Sequence, residues 1–380
     1  MNKNCRAGIL LVANWDSGVG YAWWLMESFW EQISKKYSHS HDCFLVFPSI
    51  STIPDLILKA DITCHKEDFT KVGFAAVLRQ CIYLWRHKIR MVYFSDNSSR
   101  HWRYILFRLI GVKTIVIHDH TPGLRTVPVG AKKYIKTLLS NLPFINCDGI
   151  IGVSEYIRER AIKVACFPKA KVYVAANGLR PLGKVEAIDL HHVFGIPTDA
   201  RIIVTTGRAT KYKGIDFAIK CMAELAHQHK REDFHWVFCG DGEELEEFRA
   251  LVKELEITKF TSLVGKRSDV ASILAGSDIA FHPSLGEVGY SLSILEYMQA
   301  GMPVVVSDNP SVCGATIDNE TGLIYKEQNI NSAVQSFITL LDDNVLLKKL
   351  GNNSKDAVKQ YSLDNTHKSL LDALSRLYSF

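Results

Sequence analysis

The cysteines of this sequence form no pattern that indicates disulfides or a metal site. There are nine of them, with no Cys-x-x-Cys pair and no spacing typical of zinc ligands. An odd number of scattered cysteines favours reduced thiols, and therefore a cytoplasmic protein rather than a secreted one.

Long apolar runs are also missing. No stretch approaches the roughly 20 apolar residues of a membrane-spanning helix. The opening MNKNCRAGILLVANWD has too short an apolar run for a signal peptide and is predicted to contain a first strand. Short repeats and low-complexity segments are absent as well. We therefore expect a cytoplasmic protein, either soluble or peripheral on the inner face of the cytoplasmic membrane.

The two halves of the chain differ in charge. Residues 1–190 carry 26 Lys and Arg against 15 Asp and Glu, whereas residues 191–380 carry 19 against 25. A basic and an acidic half suggest separate tasks. The basic half is suited to an anionic lipid, a nucleic acid or an anionic substrate, unless its charges serve solvation alone. No recognised nucleic-acid-binding module accompanies them, so nucleic acid is not an expected partner.

Short apolar runs alternate with amphipathic helical patterns along all 380 residues. This alternation predicts an α/β protein with two doubly wound, Rossmann-like parallel sheets, whose strands are buried on both faces. The predicted domains are 1–185, 186–360 and a C-terminal helix, 361–380, which packs back on the first domain. The candidate strands are 8–14, 43–48, 91–95, 114–119, 149–154, 172–177, 201–207, 234–240, 260–265, 279–284, 303–308 and 321–325.

In such sheets, ligands bind in the loops that follow the strands. The loop NWDSGVGYAWW (14–24) places Gly18 and Gly20 before a helix, either for a ligand or for a tight turn. The loop TTGRATKYKG (205–214) places Arg208 and Lys213 before another helix, which suits a diphosphate better than a solvated turn.

Two further loops of the second half contain glycine and acidic residues. In FCGDGEELEEF (238–248), Gly242 permits close approach of a ligand, although capping of the next helix by Asp241 or Gly242 explains the same residues. In SLGEVGYSLSILEYMQAG (284–301), Glu287 lies in the loop and Glu296 in the helix. A carboxylate among apolar residues needs a partner, such as a sugar or ribose hydroxyl. The alternative is a helix cap and a solvent-facing side chain.

The first half contains two candidate functional surfaces. In VIHDHTPG (116–123), His118, Asp119 and His120 end a predicted strand. The segments 98–113 and 130–144 mix cations with aromatic and aliphatic residues. A helix of that composition suits an anionic membrane interface, or a core-facing helix with solvated arginines.

Together these loops resemble those of the GT-B glycosyltransferases, and in particular the retaining enzymes of family 4. The resemblance is strongest over 149–325. It rests on GVSEYIRERA, on VYVAANGLR as the family's "pNGvd" turn, on GRATKYKG as its phosphate loop, and on LEYMQAGMPVVVSD as its "EAMAxGxPVV" segment. The first half matches mainly in strand order, as an acceptor-binding domain would.

The resemblance implies a fold of two Rossmann-like domains facing a cleft, with the nucleotide-sugar site on the second. Arg208 and Lys213 would hold the diphosphate, Glu296 the ribose, and the backbone near Lys266 and Arg267 the base. Further donor contacts would come from Gly18, Gly20, Gly242 and the amides of Gly289, Tyr290, Ser291 and Leu292. The implied catalytic groups are His118 or His120, Asp119 and Glu287.

One departure from the family concerns the spacing of the two glutamates. Eight residues separate Glu287 from Glu296, where the family has seven, and Val288 stands where the first glutamate would align. The family shows no clear carboxylate nucleophile, and the leaving diphosphate helps to take the acceptor proton. Catalysis is then mainly stabilisation of the diphosphate charge. No cofactor or metal is expected, and no Asp-x-Asp cluster is present.

The implied function is transfer of a sugar from a UDP- or GDP-sugar to a growing glycan or lipid-linked acceptor, in the synthesis of bacterial lipopolysaccharide or capsule. Two alternatives remain. A nucleotide-sugar epimerase of the same fold would act without an acceptor. A non-catalytic partner subunit would keep the fold without turnover.

Overall fold

The computed structural model describes residues 6–18, 23–181, 183 and 185–378. The chain forms two compact units. Unit 1 comprises Met1–Thr121, Arg125–Ala176 and Asp364–Phe380, and unit 2 comprises Pro122–Leu124 and Asn177–Leu363. The final segment of the chain therefore belongs to unit 1.

Unit 1 is a seven-stranded parallel sheet in the order β3-β2-β1-β4-β5-β6-β7. Its strands are β1 Ala7–Val12, β2 His41–Phe47, β3 Thr63–Lys66, β4 Ile89–Ser95, β5 Thr114–Asp119, β6 Gly149–Gly152 and β7 Val172–Val174. Its helices are α1 Trp23–Tyr37, α2 Asp55–Leu58, α3 Phe74–Arg86, α4 Arg103–Leu109, α5 Gly130–Asn141, α6 Glu155–Lys163 and, near the C-terminus, α14 Leu363–Leu377, with a 3-10 turn at Lys169–Lys171.

Unit 2 is a six-stranded parallel sheet in the order β10-β9-β8-β11-β12-β13. Its strands are β8 Arg201–Thr206, β9 Phe234–Cys239, β10 Thr261–Gly265, β11 Ile279–His282, β12 Val304–Ser307 and β13 Gly322–Tyr325. Its helices are α7 Leu190–Phe194, α8 Ile215–His227, α9 Leu245–Glu254, α10 Val270–Ala275, α11 Leu292–Ala300, α12 Ile330–Asp342 and α13 Asn344–Ala357, with 3-10 turns at Lys211–Lys213, Thr258–Phe260 and Val358–Tyr361.

Both sheets are covered on both faces, as the continuous apolar runs predict. In β8, Ile203 contributes to the hydrophobic core on one face, whereas Ile202 and Val204 contribute to the core on the other. Successive side chains of a strand point to opposite faces, so both must be apolar when both are covered. In each sheet the order reverses beside the first strand of the unit, and the prediction of two doubly wound, Rossmann-like sheets is confirmed.

The expected basic helix over 98–113 is shorter than predicted. Only Arg103–Leu109 is helical, and Arg100 forms an isolated bridge with Asn146. The hydroxyl of Ser98 donates to the carbonyl of Arg100 at 2.7 Å. A serine that bonds its own local backbone offers the chain an alternative to the helix.

Candidate functional site

The loops after β8, β9 and β11 pack directly on one another in unit 2. The amide of Ala209 donates to the carbonyl of Asp241 at 3.0 Å. A Cβ on Gly242 would lie 2.7 Å from the carbonyl oxygen of Ala209, and a Cβ on Gly214 would lie 2.1 Å from that of Pro283. Gly214 also has a φ of +71°, which favours glycine. These glycines therefore let the loops meet at the carboxyl end of the sheet.

Gly242 allows the close approach to Ala209, and neither Asp241 nor Gly242 caps helix α9. Helix α9 begins at Leu245, its N-cap position is Glu244, and no side chain caps it. The carboxylate of Asp241 accepts instead from the amide of Gly242 at 2.8 Å. The prediction that Asp241 or Gly242 caps α9 is wrong, because the close approach to Ala209 places the turn before the helix.

A lysine, a glutamate and a histidine form a nearly buried cluster at this edge. The ammonium of Lys213 bonds to Oε1 of Glu287, and the same oxygen lies 3.1 Å from Nε2 of His282. The side chain of Glu287 is 10% exposed and that of Lys213 is 18% exposed. The cluster therefore holds the lysine in one position while leaving part of it accessible.

The charges of this cluster are fixed by their neighbours. Burial alone would raise the pKa of Glu287, but Lys213 and His282 outweigh it and lower that pKa to about 2. Burial lowers the pKa of His282, although Glu287 opposes this. At neutral pH, Glu287 is thus a carboxylate that keeps the positive charge of Lys213 in place.

Arg208, in the same loop, differs from Lys213. Its side chain is exposed, and within the described part of the chain no group accepts a hydrogen bond from its guanidinium. An exposed guanidinium beside a fixed ammonium is suited to an anionic group.

The start of helix α11 supplies amides, but not all those predicted. The hydroxyl of Ser291 caps the helix by accepting from the amide of Ile294 at 3.3 Å. The amide of Gly289 is already bonded to the carbonyl of Ser311 at 2.7 Å. Within the described residues, the amides of Ser291 and Leu292 have no acceptor. Of the predicted amides, these two are therefore available for an anion at the helix start.

The side chain of Tyr290 is part of the core. It is 4% exposed, its hydroxyl donates to the carbonyl of Asn177 at 3.0 Å, and its ring packs edge-on against Tyr361. Only the backbone of Tyr290 is therefore a candidate for ligand contact.

Glu296 has no hydrogen-bond partner among the residues that the structure describes. It lies in the second turn of α11, and burial raises its pKa to about 7. A half-buried carboxyl group without a donor is costly unless it is protonated or a ligand supplies the donor. Glu296 is thus suited to accept hydrogen bonds from the hydroxyl groups of a ligand.

The remaining candidates of unit 2 follow β10. Arg267 forms two hydrogen bonds with Asp269, at 2.8 and 2.6 Å, so its guanidinium is held beside the loop. Lys266 is exposed. Gly265 has a φ of +71°, and its carbonyl accepts from the amide of Gly240 at 2.9 Å.

In unit 1, the first glycine loop is bound to its neighbour. The amide of Gly18 donates to Asp16 at 2.8 Å, and a Cβ on Gly18 would lie 2.3 Å from the hydroxyl of Ser51. The tight-turn interpretation therefore explains Gly18. Gly20 lies outside the described residues.

The three ionisable residues after β5 have different environments. His118 is fully buried and bonded to the hydroxyl of Tyr93, and burial holds its pKa well below the usual range. Asp119 pairs with Arg160 at 3.1 Å. His120 is partly exposed, its Nε2 has no partner in the described chain, and burial lowers its pKa to about 4. Of the two histidines, His120 is thus the less enclosed, although its Nε2 is buried, and the side chain of Asp119 is 22% exposed.

The arginines of 98–113 do not form the expected solvated face. Arg103 is fully buried, donates to the carbonyl of Phe69 at 2.8 Å and lies 5.0 Å from the ring centroid of Phe94. Arg108 pairs with Asp148 at 2.9 Å. For Arg103 and Arg108, neither interpretation is correct, because both side chains are bonded within the unit.

Sequence reasoning missed a cleft of about 770 Å³ in unit 1. It is lined by residues that follow β1, β4 and β5 and by one side of α6, and it includes Asp96 and Arg160. Asp96 directly follows β4, the strand that pairs with β1. Ligands of such sheets bind in the loops after the strands, so the rule that indicated His118, Asp119 and His120 also indicates Asp96. Arg160 lies within α6, where that rule does not apply, and only its ion pair with Asp119 shows that it belongs to the cleft.

Comparison with known proteins finds a family match within unit 2. Residues 187–357 match the family described as Glycosyl transferases group 1. An uncharacterised glycosyltransferase of Methanocaldococcus jannaschii is 26% identical over 253 residues, which are 64% of this chain and 62% of that protein. This chain thus matches less than two thirds of that relative.

Two other similarities concern substrates and fold. A UDP-Gal:alpha-D-GlcNAc-diphosphoundecaprenol alpha-1,3-galactosyltransferase of Escherichia coli is 28% identical over 270 residues, 69% of each protein. The crystal structure of Anabaena HepE in complex with UDP-glucose is 16% identical, covers 97% of this chain and 100% of HepE, and has a TM-score of 0.72. That structural likeness shows the GT-B fold.

Proposed function

Because residues 187–357 of this chain match the family described as Glycosyl transferases group 1, we propose that the protein is a retaining glycosyltransferase. It moves a sugar from a UDP- or GDP-sugar to a growing glycan or a lipid-linked acceptor. The product belongs to a bacterial surface polysaccharide, such as lipopolysaccharide or capsule. The diphosphoundecaprenol acceptor in the name of the E. coli relative supports this choice of acceptor.

The observation that carries the proposal is the cluster of Lys213, Glu287 and His282. It fixes a partly accessible ammonium at the carboxyl end of the sheet of unit 2, in the same loop as the exposed Arg208. When the bond between the sugar and the diphosphate of a nucleotide sugar breaks, its electrons remain on the diphosphate. The ammonium of Lys213, held before the reaction, stabilises that charge with little reorganisation, and the exposed guanidinium of Arg208 can add a second contact.

The other residues of unit 2 take the parts that the resemblance implies. Glu296 accepts from the ribose hydroxyls, which supply the donors that it lacks. The amides of Ser291 and Leu292 bind phosphate or sugar oxygens at the helix start. The backbone near Lys266 and Arg267 contacts the base. Glu287 acts through Lys213, so it is a positioning residue.

In unit 1, we assign to His120 the part of the histidine that the resemblance implies, because His118 is enclosed in the core. Asp119 pairs with Arg160, so in this proposal it is a positioning residue. The leaving diphosphate takes the proton of the acceptor hydroxyl. No step requires a metal or a cofactor.

We also propose that the protein works on the inner face of the cytoplasmic membrane. None of the helices in the described chain is long and apolar enough to cross a bilayer. Helix α5 instead exposes Tyr134, Ile135 and Leu138 together with Lys132 and Lys133. Apolar side chains beside lysines suit an anionic lipid surface.

The test is a thermal-shift screen of nucleotide sugars, followed by turnover with the donor that binds. We expect one UDP- or GDP-sugar to raise the melting temperature, since a ligand of the native state stabilises it. With an acceptor, the product should keep the anomeric configuration of the donor, as seen by NMR. Conversion of the donor without an acceptor would indicate an epimerase, and binding without any turnover would indicate a non-catalytic subunit.

A further inference from the structure

The cleft of unit 1 has an excess of positive charge. Among its lining residues are four cations and two carboxylates, which are Arg100, Arg125, Lys136, Arg160, Asp96 and Asp119. Its volume of about 770 Å³ is within the range of small-molecule sites, which is roughly 300–1,000 Å³.

Two of these cations are held in position without being neutralised. The guanidinium of Arg100 donates to the carbonyls of Lys136 and Ala165, both at 3.1 Å. The ammonium of Lys136 donates to the carbonyl of Val164 at 3.0 Å. In the described chain, no carboxylate lies within ion-pair distance of either. Carbonyl oxygens fix the side chains but leave their full charges to act on a ligand.

The remaining charged residues of the cleft differ in whether they are paired. Asp119 neutralises Arg160, which is 7% exposed. Arg125 is exposed and, within the described residues, has no hydrogen bond or ion pair. Asp96 accepts from the amide of His120 at 2.5 Å. The unneutralised cations are therefore Arg100, Arg125 and Lys136, with Asp96 as the single carboxylate left to oppose them.

We infer that this cleft binds the phosphate or diphosphate group of the acceptor. The inference rests on the proposed transferase function and names the chemical class of its acceptor. A single phosphate would fill only part of the cleft, so there is room for the sugar attached to it. The polar groups of Asn14, Asn97 and Thr70 also line it and are suited to sugar hydroxyls.

Helix α5 connects the cleft with an apolar surface. Lys136 lines the cleft, whereas Tyr134, Ile135 and Leu138 of the same helix are 73%, 54% and 55% exposed. An acceptor whose phosphate enters the cleft can thus place an apolar chain along α5. A lipid-linked sugar diphosphate and a soluble sugar phosphate share the anionic group, and only the first has the chain.

The test is calorimetric titration of the full chain with inorganic pyrophosphate, with UDP and GDP present in excess to occupy unit 2. The Arg125→Gln/Lys136→Gln double variant should bind pyrophosphate at least about tenfold more weakly, because each substitution removes a charge-assisted contact. Lys132→Gln/Lys133→Gln, an equal charge change at two exposed lysines of α5, is the matched control and should bind like wild type. Unchanged affinity in the double variant would overturn the inference.

Two further measurements separate the possible results. Binding of UDP or GDP to the double variant should equal that of wild type, so a loss of pyrophosphate binding is not a loss of folding. If wild type binds neither nucleotide but does bind pyrophosphate through these residues, the transferase proposal fails and the anion site stands. Farnesyl diphosphate that binds more tightly than pyrophosphate supports a lipid-linked acceptor, and equal binding supports a soluble one.

Discussion

The side chains of Lys213 and Arg208 lie in one loop but have different surroundings. Lys213 is largely buried against Glu287, and Arg208 is exposed. Loss of Lys213 would therefore leave a buried carboxylate with only a neutral histidine beside it, whereas loss of Arg208 would leave no buried partner.

We predict that Arg208→Ala and Lys213→Ala each lower turnover by roughly 10²–10³, since each removes a charge that stabilises the leaving diphosphate. Lys213→Ala should also destabilise the fold by about 3 kcal/mol, the cost of breaking a buried pair. Steady-state kinetics and urea unfolding measure the two effects. Lys211→Ala removes an exposed lysine of the same loop and is the control. Wild-type turnover in a folded Arg208 variant would remove the diphosphate assignment.

The carboxyl group of Glu296 should release a proton when nucleotide binds. Its pKa of about 7 means that about half of the free protein carries this proton at pH 7. Ribose hydroxyls that donate to the carboxylate stabilise the ionised form and lower the pKa. Calorimetry of UDP or GDP binding in buffers of different ionisation enthalpy measures the release, which should reach about half a proton.

Glu296→Gln should abolish this proton release and weaken binding of the bare nucleotide. His120→Gln, which alters a group of unit 1, serves as the control and should leave the release unchanged. If wild type released no proton at pH 7 while binding nucleotide normally, the ribose assignment of Glu296 would be untenable.

The low pKa of Glu287 predicts that the folded protein loses stability at acid pH. A carboxyl group whose pKa falls from 4.5 to about 2 on folding stabilises the protein above pH 4.5. That contribution is lost as the pH falls from 4.5 towards 2. The difference in free energy of unfolding between wild type and Glu287→Gln should therefore be largest near neutral pH and shrink through this window. A difference that did not change with pH would contradict the ionised pair.

At the scale of the element, helix α5 is a better candidate for membrane contact than the segment 98–113. The arginines of that segment are engaged inside unit 1, whereas Lys132 and Lys133 of α5 are exposed beside apolar residues. Composition alone did not distinguish the two segments, because both mix cations with large apolar residues. Only packing shows which side chains face outward.

We predict that the protein sediments with anionic vesicles and that salt weakens this binding. Ile135→Ser/Leu138→Ser should reduce the bound fraction severalfold, because each substitution removes exposed apolar area that lipid would bury. Leu58→Ser changes a leucine of α2 that is 64% exposed, and it is the control. Equal sedimentation of all three proteins would exclude α5 as the contact.

At the scale of the whole molecule, the strand pattern could be predicted because it is local. Apolar runs such as RIIVTT and FHWVFC form β8 and β9, and their burial on both faces follows from the absence of polar alternation. The loops after the strands could be located for the same reason, since the carboxyl ends of parallel strands share one edge.

Side-chain partners could not be predicted, because they depend on residues far apart in sequence. Lys213 and Glu287 are separated by 74 positions, and Arg160 and Asp119 by 41. The eight residues between Glu287 and Glu296, one more than the family has, gave no indication that Glu287 pairs with a lysine. The enclosure of His118 likewise depends on Tyr93 and Phe29, from other elements.

The return of α14 to unit 1 has a consequence for the order in which the protein is made. His367 bonds to Ser28 and Tyr378 to His41, both at 2.9 Å, across 339 and 337 positions. A ribosome that adds about 5–20 residues per second needs roughly 10–40 s to make the chain of unit 2, which lies between. During that time the earlier-made part of unit 1 lacks a helix, and Phe29, which packs against His367, lacks part of its cover. The nascent chain thus offers chaperones a defined interval in which unit 1 is unfinished while unit 2 is being synthesised.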